Sequence, residues 1–161
     1  MNVLAIDPGT LRSAYVLLDD ECKLLDFGIL ANFEMVFMLR QRLVANQVLA
    51  IEMIASYGMP VGREVFETCV WIGRFAEAHR DEWHRVYRKD VKMHLCGSTR
   101  AKDPNVRQAL LDRYGPGREI AIGTKRAQGP LYGVSADVWA ALAVGVTFQD
   151  RQKLPRVEGS A

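Results

Sequence analysis

Three carboxylates stand where a charged side chain is hard to solvate. Asp7 closes the apolar run of AIDPGT, Glu52 closes VLAIEM, and Asp137 opens SADVWAALAV. A charge in such a place is costly unless it is paired or bound to a metal. Oxygen donors without His or Cys partners suit the hard cations Mg²⁺ or Mn²⁺. Two such ions, roughly 3.5–4 Å apart, activate water and stabilise the leaving oxygen of a phosphodiester. Each acid also has a plainer reading. Asp7 before Pro8-Gly9 fits a turn, Glu52 fits an ion pair with an arginine such as Arg63, and Asp137 fits the favourable first turn of a helix. Their common placement at the ends of elements says more than any one of them.

The elements that must bring these acids together follow from periodicity and punctuation. Val3 to Ile6, Ser13 to Leu18 and Lys23 to Leu30 read as three strands joined by short turns, an antiparallel meander. Asn32 reads as the N-cap of a helix with Phe33, Val36, Phe37, Leu39 and Leu43 on its apolar side. Val48 to Ile51 is wholly apolar, as in a sheet centre, and delivers Glu52. A longer helix is expected from Gly62 to Arg80, apolar over more than one stripe, and so suited to a partner as well as the sheet. Trp83 to Tyr87 is a fifth strand and Lys89 to Leu95 a short helix. Asp103-Pro104 reads as a cap followed by a first-turn proline, opening a helix through Tyr114. Residues 115–133, with five glycines, read as a long loop, and Ser135 to Phe148 as an apolar helix. The order predicts an α/β fold with a five-stranded mixed sheet, three antiparallel strands then two parallel, flanked by helices. The expected organisation is one domain over residues 1–148 and a flexible tail over 149–161.

Composition narrows the class. With 49% hydrophobic and 25% charged residues, and no apolar run near the roughly 20 residues that span a bilayer, the chain reads as a globular protein of the cytoplasm. Cys22, Cys69 and Cys96 are odd in number and form no CxxC pair, so three buried free thiols are expected, not a disulfide frame or zinc knuckle. The net charge of +2 hides an asymmetry. Residues 1–83 hold 7 Lys+Arg against 12 Asp+Glu, whereas residues 84–126 hold 11 against 4. Such a basic middle third fits either a polyanion-binding face or a solvated surface.

The ordered set AIDPGT, AIEM, VYRKDVKMHLCGSTRAKDPNVRQAL and SADVWAALAV resembles the RuvC Holliday junction resolvases, and among them the phage-borne branch. The similarity runs over residues 1–148. DPGT alone also resembles the phosphate loop of sugar kinases and actin-like ATPases, which need two lobes and a far longer chain. The resemblance implies an RNase H-like fold, a homodimer, and Mg²⁺ or Mn²⁺, two per active site. It further implies paired nicks across a four-way junction that leave 5′-phosphate and 3′-hydroxyl ends. The metal-holding acids then fall on Asp7, Glu52 and Asp137. Many members carry a further acid or His three residues before the last Asp, where this chain has Val134. Asp103 is the nearest spare acid, with capping its expected role. The family's lysine after the Gly-Ser turn is matched by RAKDPNV, its charge displaced to Lys102.

Junction binding needs phosphate contacts that position DNA without reading its sequence. Arg100, Lys102, Lys125 and Arg126 are the favoured candidates, from a set that also includes Arg88, Lys89 and Lys92. Lys125 is also expected to stabilise charge on the scissile phosphate. The related resolvases place a base-stacking aromatic just after the glutamate; Tyr57 takes that place here, slightly offset, and ordinary packing suits it equally. Trp71 and Trp139 read as core, and the helix from Gly62 to Arg80 as the dimer interface. Two other readings stay open: a broader fork or flap nuclease, and a DNA-structure binder without catalysis, which Val134 favours. The sequence names no helicase partner.

Overall fold

The computed structural model describes residues 1–41 and 47–154. Strands β1 (Asn2–Asp7), β2 (Arg12–Leu18) and β3 (Leu24–Ala31) form the expected meander. Helix α1 (Asn32–Gln41) leads to β4 (Gln47–Met53), and α2 (Arg63–His79) to β5 (Trp83–Tyr87). Then come α3 (Arg88–Cys96), α4 (Asp103–Tyr114), the single turn α5 (Arg118–Ala121) and α6 (Val138–Lys153). The sheet order is β3-β2-β1-β4-β5, with β1 antiparallel to β2 and parallel to β4, and β5 parallel to β4. This is the mixed five-stranded α/β sheet predicted from the pattern.

Side-chain alternation sorts the strands into two cores. Leu4, Ile6, Leu49 and Ile51 pack with Met35, Leu39, Ile72 and Phe75 of α1 and α2 on one face. Val3, Ala5, Ala50 and Val86 pack on the other with α3, α4 and α6. Helix α6 lies deepest there, with residues Ala141 to Gln149 all buried. It reaches the sheet through Gly145, where an added Cβ would come within 2.9 Å of Leu18 and 3.1 Å of Ala5.

Several local expectations are corrected. Asn32 does not act as a cap: its buried side chain accepts from Ser13 Oγ (2.7 Å) and donates to the Gly9 carbonyl (2.9 Å), tying down the loop after Asp7. Phe33 and Phe37 are 67% and 65% exposed, because Met35, Val36 and Leu39 make the buried stripe of α1; Leu43 lies outside the described residues. Of the cysteines only Cys22 is buried, and all three are free. Residues 115–133 are not a bare loop: they hold α5 and a Gly123–Gln128 bridge, with Leu131 fully buried. Helix α6 outruns the Phe148 boundary because Gln149 and Asp150 have partners: Gln149 donates to the Asp19 carbonyl (2.5 Å), and Arg113 donates to Asp150 (2.6 and 2.7 Å). Among the described residues no helix is long and apolar enough to cross a membrane.

Candidate active site

The site follows from strand register. Ile6 pairs with Ile51 across parallel strands, so Asp7 and Glu52, the next residues, end neighbouring strands side by side. Alternation sets Asp7 after Ala5 and Glu52 after Ala50, toward the face that α6 covers, and Arg88 opens α3 directly after β5. Asp7, Glu52, Tyr57 and Arg88 line one pocket of ≈ 190 Å³. Arg88 also lines an adjoining pocket of ≈ 120 Å³ with Asp103, Arg107, Asp137 and Trp139. Four acids from β1, β4, α4 and the start of α6 therefore border two pockets that share one guanidinium.

The electrostatics are those of crowded, poorly solvated carboxylates. Burial, then the charges of Glu52 and Asp137, push the Asp7 carboxyl up to about 7. Burial likewise raises Glu52, against the pull of Arg88. Arg88 Nη1 lies 3.8 Å from Glu52, and Nη2 donates to Asp103. Burial of the guanidinium lowers its pKa, but Glu52 and Asp103 outweigh that and raise it.

Strain borders the site. Tyr57 (φ 49°) and Ala136 (φ 46°) are two of the four non-glycine residues with positive φ among those described. Such backbone is unfavourable for an L side chain and persists where surrounding structure holds it. Tyr57 stands in a turn closed by Met59 N–H to Ser56 C=O (2.9 Å), 60% exposed, with Lys89 Nζ 5.5 Å from its ring centre. Ala136 precedes Asp137 in a turn where Val138 N–H meets Ser135 C=O (3.1 Å).

The other expected site residues fall variously. Asp137 stands at the N-cap position of α6 without a side-chain capping hydrogen bond and is exposed, not poorly solvated as its neighbours suggested. Glu52 faces Arg88, whereas Arg63 pairs with Glu67 at 2.6 Å. Asp103 is no cap: Lys102 holds that position, and Asp103 turns to Arg88. Lys125 and Arg126 sit exposed at the tip of a small hairpin closed by Thr124 and Ala127 (2.9 Å), outside the lining of either acidic pocket. Arg100 and Lys102 are exposed before α4. Val134, at the position where the resemblance asks for an acid, is buried in the core. Arg88 is no more than one of several candidate phosphate contacts by sequence, and Arg107, whose guanidinium stacks 4.6 Å from the Trp139 ring, is not among them. Arg88 meets the acids because β5 delivers the start of α3 beside β4, and nothing local marked Arg107.

The donor set fits a divalent cation in kind: Asp7 and Glu52 offer adjacent carboxylate oxygens, both raised in pKa chiefly by burial, which the nearby Arg88 only partly offsets. Among the described residues no three acids already stand in coordinating range of one point, since Arg88 separates the pair at the strand ends from Asp103 and Asp137.

Sheet order, helix placement and acids at the carboxyl ends of parallel strands define an RNase H-like α/β fold. Among solved structures the chain is similar to a Thermus thermophilus RuvC structure, with 17% identity, a TM-score of 0.65, and 94% of this chain and 96% of that one covered. It is similar also to T. thermophilus RuvC in complex with Holliday junction substrate, at 16% identity and a TM-score of 0.67, covering 95% and 96%. The chain thus has the RuvC-like fold over nearly its whole length. No family model and no curated protein matches it.

Proposed function

We propose that this protein is a divalent-metal-dependent endonuclease that resolves four-way DNA junctions as a homodimer. The carrying observation is the pair Asp7 and Glu52, side by side at parallel strand ends in one pocket, in a fold shared with RuvC. Asp7, Glu52 and Asp137 would hold Mg²⁺ or Mn²⁺. When bound, the cations supply Lewis-acid activation of water and stabilise the leaving oxygen. The chain's own residues do the rest. Desolvated carboxylates bind cations strongly because little solvation is lost. Tyr57, exposed on the pocket rim, offers a stacking face to a base at the junction centre. Arg100, Lys102, Lys125 and Arg126 hold backbone phosphates, and Lys125 acts from the hairpin tip as a DNA contact. The exposed Phe66 and Val70 of α2, with Phe33 and Phe37 of α1, form an apolar face suited to the second subunit.

The test is cleavage of a synthetic four-way junction with Mg²⁺ or Mn²⁺. Paired symmetric nicks with 5′-phosphate ends are expected, and Asp7→Asn abolishes them while sparing binding. Preferential cutting of forks or flaps would shift the substrate class, and full activity in the Asp7→Asn protein would remove the site assignment. A second reading, a junction-binding protein without catalysis, is favoured by buried Val134 and by the guanidinium among the acids; binding with no cutting under any divalent cation supports it.

A further inference from the structure

Arg88 opens α3 directly after β5, and its side chain forms the shared wall of the two acidic pockets. It is bound unequally. Nη2 is hydrogen-bonded to Asp103, on the first turn of α4. Nη1 lies 3.8 Å from Glu52, beyond hydrogen-bond range, and is buried with no hydrogen-bond partner among the described residues. A guanidinium built to hold a carboxylate permanently makes short, often paired bonds. Here one carboxylate is gripped and the other only neutralised through space. The gripped one, Asp103, is 75% exposed, and the neutralised one, Glu52, is 14% exposed. The buried acid therefore depends on Arg88 for charge balance, yet nothing ties Arg88 to it.

We propose, resting on the metal-site reading above, that Arg88 is an exchangeable internal counter-cation. It balances Glu52 while no divalent ion is present and withdraws onto Asp103 when one binds between Asp7 and Glu52. Asp103 is then the parking partner of Arg88, which explains an acid at the start of α4 that caps nothing. The pair sets cation affinity: binding must overcome the displaced arginine, and the site stays folded without metal because the arginine is there.

Calorimetry of Mn²⁺ binding to the full chain without DNA tests this. Removing a unit positive charge so close to a partly buried carboxylate tightens Mn²⁺ binding by about tenfold or more in Arg88→Ala. Arg88→Lys, which keeps the charge, stays near the parent value. In EDTA the Arg88→Ala protein melts below the parent, and saturating Mn²⁺ closes the gap. Arg88→Met, which keeps the aliphatic stem, replaces the alanine variant where that does not fold. Unchanged or weaker Mn²⁺ binding by a folded Arg88→Ala or Arg88→Met protein overturns the proposal and leaves Arg88 a DNA-phosphate contact. Equal Mn²⁺ binding by the parent and Asp7→Asn overturns instead the metal-site reading on which it rests.

Discussion

At the scale of single residues, Asp7 has the most measurable consequence. Its carboxyl titrates near 7 in the fold, pushed up by burial and then by Glu52 and Asp137. An acid whose folded pKa exceeds its unfolded value binds its proton more tightly when folded. Its contribution is therefore favourable at low pH and declines as pH rises between about 4 and 7. Metal-free protein should lose stability over that window. Asp7→Asn removes the ionisation and should raise stability at pH 7.5 in EDTA by roughly 2–4 kcal/mol, with little change at pH 4. Denaturant melts at the two pH values check this; equal effects at both would refute it. Tyr57 makes a second test. Alanine there should weaken junction binding by roughly 1–3 kcal/mol, while Tyr57→Phe, which keeps the stacking face, should bind as the parent does. Fluorescence anisotropy with a labelled junction reads both.

At the scale of elements, α6 decides where Asp137 stands. The helix is buried almost throughout and presses on β1 and β2 through Gly145. A β-branched side chain at that point must push Leu18 and Ala5 away. Gly145→Val should cost about 1–3 kcal/mol by urea denaturation and, by lifting the α6 N-terminus, should also weaken Mn²⁺ binding. The opposite end of α6 is held by Asp150. Burial pushes its carboxyl up, but hydrogen bonds from Arg113 and His94 outweigh that and hold it below the usual range. Sequence patterning placed α6 but stopped it at Phe148, because the partners of Gln149 and Asp150 come from residues far along the chain.

At the scale of the whole molecule, the sheet buries one face under α6 and the other under α1 and α2, and the second pair leaves aromatics in solvent. Arg74 lies over both Phe33 (5.0 Å) and Trp71 (4.3 Å), covering part of the patch but leaving Phe66 and Val70 63% exposed. If this face joins two subunits, Phe66→Glu with Val70→Glu should yield a folded monomer by sedimentation velocity. That monomer should bind Mn²⁺ normally and lose paired nicking. An unchanged sedimentation coefficient would place the interface elsewhere.

What this chain's sequence determined alone is the order and kind of its strands and longer helices, the five-stranded mixed sheet, and the three acids at element ends, whereas α5 and the bridge within 115–133 were not legible. Those rest on local periodicity and, for Asp7 and Glu52, on the cost of charge at the close of an apolar strand, both visible in a short window. Only the tertiary structure decided which charges meet. Arg88 and Asp103 lie fifteen residues apart, on different helices, and Glu52 reaches Arg88 because β4 and β5 are neighbours in the sheet. Asn32 likewise becomes a tie to Gly9 and Ser13 because β2 and β3 bring its backbone there. Long-range pairing is set by packing geometry, and packing geometry has no signature in the residues on either side of a charge.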